Sequence, residues 1–499
     1  MTTTLAPADD VREFGYNQQL DRTLGTFASF AAGVSYLSIL TGTFQLFYFG
    51  YGTAGPAYLW SWPLVFTGQL LVALCFAELA GHFPLAGSVY AWAKQLASAT
   101  VAWLTGWVLL VGSIVTLAAT VLALQITLPQ IWSGFQVIGD GTGQYDGAVN
   151  AVVLGSVLIV LTTTANVLGV RLVGRIASIG VAIELTAAVC IIGVLALHVV
   201  RGPQVVLQSQ GTAAGHALGY PGAFLAASLA SAYVLYGFDT AGSLGEETCN
   251  ARRTAPRAIL RALIASFVLG GLLLLFGLMS APDLADPALS SASGGLQGVL
   301  LEVVGGPLGR VFLGCVVAAV SICALAVHTA AIRVTFAMAR DGVLPFSHRL
   351  ANVSPTARTP AMPAVVVGLF AIGILLLNIR QPQVFTVVTS IAVLLFYIAY
   401  LLVTGPMLLA RLRGTWAGGG AFPLGRWGLP VNALAVLWGS VMAVNIGWPR
   451  AEVYNASPPH HWYLQWGAPL FCGALIGVGL LMWHLRLKAR AGVLASHAC

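Results

Sequence analysis

Apolar residues run on for about 20 positions at a time along most of this chain, and short polar stretches between the runs collect the charges. A helix rises about 1.5 Å per residue, so such a run crosses a hydrocarbon layer about 30 Å thick. About twelve runs can be placed, which predicts membrane helices centred near residues 37, 70, 114, 160, 187, 233, 268, 322, 371, 394, 438 and 475. The division of 361–404 into two spans rests on the polar break NIRQPQ at 378–383, and one long kinked hairpin would leave a similar pattern. The fold class expected is an all-α integral membrane protein.

Composition agrees with the pattern: 58% of the 499 residues are hydrophobic and 8% are charged, against about a quarter charged in soluble chains. The formal net charge of +7 is spread between apolar spans, where it reads as a membrane orientation signal and not as a nucleic-acid surface. With the N-terminus inside, Arg201, Arg310, Arg380 and Arg450 are the 4 of 23 basic residues that fall outside. That asymmetry predicts an even number of spans with both termini cytoplasmic. MTTTLAPADDVREFGYNQQLDR, the first 22 residues, has no apolar core or small-residue cleavage site, so no removed signal peptide is expected and the first span serves as the targeting signal to a plasma (inner) membrane. Cys75, Cys190, Cys315, Cys323 and Cys472 lie within apolar spans without metal spacing and read as small buried hydrophobes.

Two spans carry glycine in mid-run, the first in ILTGTF at 39–44 and the sixth in YGFDTAG at 236–242. Glycine in a membrane helix is most often a close-packing contact. It also opens the backbone, and amides freed within hydrocarbon need protein, water or ligand partners. In transporters with inverted repeats, the freed N–H groups of such half-helices face an anionic substrate group and the freed carbonyls take a cation. The first and sixth spans are corresponding positions of two five-span repeats, which favours a substrate site.

AELAGHFPLAGSVYAWA at 77–93 resembles the end of the second span in the amino acid-polyamine-organocation superfamily of transporters. ILTGTF resembles the superfamily's IGTGIF stretch. GFDTAGSLGEETCNARRTAPRAI at 237–259 is similar to its sixth span and following loop, and AAIRVTFAMARDGVLP at 330–345 to the end of its eighth. The loop and first break look most like the amino acid/choline permease branch, which includes gamma-aminobutyrate permeases. The resemblance implies a five-plus-five inverted-repeat fold with discontinuous helices 1 and 6. Its parts would be a cytoplasmic segment 1–22, repeats 23–200 and 215–404, two further spans in 429–485 and a cytoplasmic tail 486–499. It implies that Ile39, Leu40, Thr41 and Gly42 present backbone groups to a substrate carboxylate, with Tyr236, Gly237, Phe238 and Asp239 as the opposite wall. Leu40 departs from the pattern, standing where IGTGIF has its first glycine.

An ionisable group near mid-bilayer costs about 2.5–3.5 kcal/mol on insertion scales, which singles out Glu184, Asp239 and His328 as coupling candidates. Asp239 can carry a proton, pair with a substrate ammonium or cap the second half of span 6. Glu184 can carry a proton or pair with Arg175 or Arg333 near the inner leaflet; no lysine stands in span 5, where some sodium-independent members of the superfamily have one. His328 reads as a neutral bundle residue or a proton carrier, and Thr329 as one oxygen of a sodium site or a packing residue. A proton is expected as the coupling ion ahead of sodium, and no cofactor or metal is expected. Glu246, Glu247, Arg252, Arg253, Arg257, Arg340 and Asp341 form either a cytoplasmic gate or a plain anchor, and a gate would need a network because exposed pairs contribute about 1 kcal/mol or less.

No HExxH, GxSxG, GxxxxGK[ST] or strand-bound GxGxxG occurs, so an enzyme is not expected. A channel would present a repeated filter or charged ring. The function expected is a secondary active permease moving a small amino acid or related amine by alternating access. A polyamine or choline-like cation transporter or exchanger is the alternative; Tyr36, Tyr233, Tyr236 and Phe238 would line an apolar or cation-favouring pocket, although such residues more often pack.

Overall fold

The computed structural model describes residues 12–487 apart from 16–18, 21, 144, 215, 217, 355–357, 378, 380–383, 417, 419 and 456–459. Its helices are α1 (Thr26–Leu37), α2 (Ile39–Ala54), α3 (Ser61–His82), α4 (Ser88–Leu96), α5 (Ala99–Ile131), α6 (Asp146–Leu168), α7 (Val170–Leu197), α8 (Tyr220–Val234) and α9 (Thr240–Ser243). After these come α10 (Ala251–Ser280), α11 (Gly295–Val304), α12 (Gly306–Arg340), α13 (Ser347–Leu350), α14 (Ala361–Leu377), α15 (Val384–Leu412), α16 (Gly428–Gly447), α17 (Ala451–Tyr454), α18 (Trp462–Gln465) and α19 (Gly467–Met482). Among the described residues, 10 stretches are long and apolar enough to cross a membrane, α1 and α2 counting as one.

The twelve expected centres all fall within these elements. The ten long stretches take ten of them, and α14, with 17 residues, takes the ninth. The sixth is α8, which is too short to count alone because span 6 breaks after Val234. The NIRQPQ break lies outside the described residues apart from Ile379, but the helix before it ends at Leu377 and the one after it begins at Val384. Arg380, Lys488, Arg490, most of segment 1–22 and most of the tail 486–499 also lie outside the described residues. Between α10 and α12 the stretch 281–305 contains a helix, α11, which its length of 10 residues hid from a search for spans.

The centre of the bundle is α5 packed on α12 and α15, with α2 against α8 and α1 against α10. Helices α6, α7, α14, α16 and α19 form the rim and turn Val157, Leu161, Ile179, Leu369, Leu437 and Leu481 outward. Lipid solvates these side chains, so their exposure carries no cost. Cys190 is a correction to the expected burial: it is exposed on α7, and Cys315 is half-buried.

Candidate functional site

The first break lies four residues before the glycine, at Ser38, just ahead of the ILTGTF stretch. Ser38, at φ 34°, separates α1 from α2, and Ile39–Phe44 are already helical. Gly42 is therefore not the break: its N–H donates to the Ser38 carbonyl at 3.1 Å. It is instead a close contact, since a Cβ there would stand 2.5 Å from Val234 Cγ2 on α8. What the break exposes is the amide pole of α2, ahead of Gly42. In span 6, residues 235–239 leave the helix between α8 and α9, and Gly237 takes φ +87°.

These two breaks meet at a tight cavity of about 10 Å³, room for about one water, lined by Tyr36, Leu37, Thr41, Gly42, Thr116, Thr120, Tyr233, Tyr236 and Cys323. Tyr36 and Tyr236 meet edge to face at 6.1 Å, Tyr233 lies 5.9 Å from Tyr236, and Phe396 backs Tyr236 at 4.7 Å. The hydroxyls of Tyr36 and Tyr233 are buried without a hydrogen-bond partner, whereas Tyr236 Oη lies 3.0 Å from Thr116 Oγ1. A pocket of ring faces with two uncommitted hydroxyls suits a solute that has an apolar or cationic body and a polar end.

Of the eight expected substrate residues, Thr41, Gly42 and Tyr236 line this cavity. Ile39 and Leu40 are buried beside it, and Phe238 turns away to pack on Phe76 and Tyr400 at 6.0 and 5.5 Å. Thr116 and Thr120, one helical turn apart on α5, form the far wall, which sequence reasoning missed because threonine is ordinary in an apolar span. Gly237 shapes the cavity from behind, because a Cβ there would lie 1.9 Å from the Tyr36 ring.

Asp239 is buried and held through both oxygens. Tyr400 Oη donates to Oδ1 at 2.6 Å and Ser88 Oγ donates to Oδ2 at 2.8 Å. Tyr400 Oη also accepts the Gly237 N–H at 2.9 Å, and Ser243 Oγ donates to Ser88 Oγ at 2.8 Å. The carboxylate thus ties the break in span 6 to α15 and α4, and it makes no side-chain cap on α9. Glu184 is equally buried, but it is not paired with Arg175 or Arg333. Its Oε1 accepts from Ser38 Oγ at 2.9 Å and from Leu40 N–H at 3.2 Å, at the first break.

His328 stands apart from the cavity. Its Nε2 lies 3.0 Å from the Ala364 carbonyl, which can only accept, so Nε2 carries the proton and Nδ1 faces Thr162 Oγ1 at 3.0 Å. It joins α12 to α14 and α6 as a neutral ring. Thr329 Oγ1 lies 2.9 Å from Asn166 Oδ1 and 2.7 Å from the Leu325 carbonyl, both acceptors, so its single hydroxyl hydrogen is spent within the bundle on one of them.

The charged cluster resolves into specific pairs. Glu246 is gripped by Arg340 at 2.9 and 3.0 Å, and Glu247 by Arg333 at 2.7 and 3.0 Å. Both arginines come from α12. Arg252 pairs instead with Glu13 at 2.5 Å, and Arg253 and Arg257 are exposed. Asp341 accepts from Lys94 Nζ at 2.9 Å and Tyr90 Oη at 2.7 Å, and Arg411 pairs with Glu78. Burial draws the Lys94 ammonium, on a helix outside the spans, below its ordinary value, and the Asp341 carboxylate opposes that shift. The ends of span 2, α4, span 6, α12 and α15 meet on one side of the bundle and are joined there by the four pairs Arg340–Glu246, Arg333–Glu247, Lys94–Asp341 and Arg411–Glu78. The backbone adds a further tie: the Glu247 carbonyl accepts from Thr23 and Leu24 N–H at 3.0 and 2.9 Å, fixing the entry into α1.

Two broken helices around an aromatic cavity, with buried ion pairs joining helix ends on one side, is transporter architecture, and comparison with known proteins agrees. Residues 24–475 match the family model described as "Amino acid permease". The chain is 26% identical to the amino-acid permease BAT1 of Arabidopsis thaliana, over 95% of this chain and 93% of the relative. It is 27% identical to the BAT1 homolog of Oryza sativa subsp. japonica, over 98% of each. It is also 28% identical to the thiamine transporter thi9 of Schizosaccharomyces pombe, over 84% of this chain and 75% of the relative. The chain belongs to the amino acid permease family, as a secondary transporter embedded in the membrane and not an enzyme.

Proposed function

We propose that this permease carries a small amine-bearing solute, an amino acid or a related organic cation, through the cavity between the two breaks, and that a proton drives it. The observation that carries the reading is the cavity itself: an amide pole and a ring-lined space stand where the first and sixth spans lose their helix. Repeats 23–200 and 215–404 each contribute one break, so rocking of one against the other would open the cavity to either side. The four ion pairs form the cytoplasmic closure, with both termini on that side, of a protein of the plasma (inner) membrane. Relatives named for amino acids and for thiamine support both substrate classes.

Asp239 is the coupling group in this reading. Its ionised carboxylate takes two hydroxyl hydrogens, from Tyr400 and Ser88. A proton on either oxygen turns that oxygen from acceptor to donor, so the hydroxyl facing it must turn its own hydrogen away and the tie of span 6 to α15 or α4 is rearranged. In proteoliposomes, an inward proton gradient without sodium is expected to drive accumulation of a panel substrate drawn from amino acids, choline and polyamines. Asp239→Asn is expected to abolish gradient-driven accumulation and to retain exchange between the two sides, because the amide resembles the protonated acid. Strict sodium dependence, or undiminished accumulation by Asp239→Asn, overturns the coupling.

A further inference from the structure

The amide pole of α2 is already occupied. Its second free amide, Leu40 N–H, donates to Glu184 Oε1, and the Ser38 hydroxyl at the break reaches the same oxygen. Ser38 Oγ also lies 2.6 Å from Thr41 Oγ1, so the carboxylate is joined through two hydroxyl groups to the cavity wall. The other oxygen, Glu184 Oε2, is buried without any hydrogen-bond partner. A buried carboxylate oxygen left bare is costly, by about 1–3 kcal/mol or more, and a cation or a proton beside it removes that cost.

We propose that Glu184 is the resident anion of this pole, and that it makes the cavity select organic ammonium ions without a carboxylate over amino acids of similar size. The inference rests on the cavity being the substrate site. A half-helix N-terminus carries roughly half a positive charge, which one carboxylate satisfies. A substrate carboxylate arriving there would meet a second one in the same place, and two carboxylates sharing a site do not both stay ionised. An amino acid must therefore displace or protonate Glu184 before it can bind. An ammonium ion needs neither: its charge is balanced by Glu184 across Ser38 and Thr41, and its body meets the faces of Tyr36, Tyr233 and Tyr236. Leu40, where the related motif has glycine, belongs to the same arrangement, because its N–H is held by the protein.

The test uses matched pairs that differ by the carboxylate: choline with glycine betaine, and propylamine with 4-aminobutyrate. Binding is measured by calorimetry on the purified full chain and transport by counterflow in proteoliposomes. The wild type is expected to bind the carboxylate-free member of each pair about tenfold or more tightly, and Glu184→Gln to narrow or reverse that ratio. Should Glu184→Gln not yield monodisperse protein, Glu184→Asp, which draws the carboxylate back from Leu40 N–H, is expected to narrow it. A wild type that prefers the carboxylated members, or a ratio unchanged in the folded variant, overturns the inference and leaves the substrate site standing. Binding of no member of either pair overturns the inference, and failure of the whole amino acid, choline and polyamine panel overturns the site reading with it.

Discussion

Gly237 is fixed by two independent demands. Its φ of +87° is a left-handed conformation that disfavours a side chain, and a Cβ would enter the Tyr36 ring at 1.9 Å. Gly237→Ala therefore has to move Tyr36, and Tyr36 is a wall of the cavity. Uptake is expected to fall more than about tenfold, a barrier change of about 1.4 kcal/mol, while gel filtration still shows a folded monodisperse protein. Full uptake by the variant would remove Gly237 from the site. Tyr400→Phe is expected to act through the same region, taking away the acceptor for Gly237 N–H and a donor to Asp239, and a loss of about 1–3 kcal/mol follows from the exposed partners. At this scale the sequence was informative where a residue was out of place for a membrane: Asp239 and Glu184 stand out among apolar neighbours. It was uninformative about Tyr36, Thr116 and Thr120 as a group, because tyrosine and threonine are ordinary in spans and only the packing of α1, α5 and α8 brings them to one cavity.

A broken helix needs only one residue outside the helical well, and here that residue is Ser38, while the conspicuous glycine four positions later is helical. Gly42 has a different task. Its bare Cα lets α2 approach Val234 on α8, and the pair stands between the central cavity and a second one of about 10 Å³ lined by Phe47, Tyr58, Trp62 and Ser231 among others. Gly42→Ala is expected to overpack this contact by about 1–3 kcal/mol, lowering the thermal midpoint and slowing transport. Val234→Ala removes the methyl groups that a new Cβ would strike, so the double variant is expected to recover much of the loss. An additive double-mutant cycle would show that the two residues do not meet as described. Existence, order and approximate centres of the spans were legible because hydrocarbon imposes a length on every crossing. The position of the break was not, because a serine hydroxyl and a glutamate from α7 stabilise it through tertiary contacts.

Across the whole molecule, the charges form long-range ion pairs that sequence distance conceals. Glu246 and Glu247 lie near Arg252, Arg253 and Arg257 along the chain, yet their partners are Arg340 and Arg333, and the alternation of spans brings these to the same side. The nearer arginines follow the turn into α10 and face outward or toward Glu13. The Arg333–Glu247 pair is the most buried of the bidentate pairs, with side-chain exposures of 2% and 1%, so removing one partner strands a charge at a cost of about 3–5 kcal/mol. That cost falls on the closed arrangement, where the pair is formed and dry. When the side opens and water enters, the stranded charge is solvated, so Arg333→Gln shifts the balance toward the open form. Cys323 lines the central cavity and reports on this directly. With the other cysteines replaced, modification of Cys323 by a polar thiol reagent from the ion-paired side is expected to accelerate several-fold in Arg333→Gln, with Arg333→Gln/Glu247→Gln closer to the parent because no charge is left unpaired. Equal rates in parent and single variant would mean that these pairs anchor the helices without closing the path.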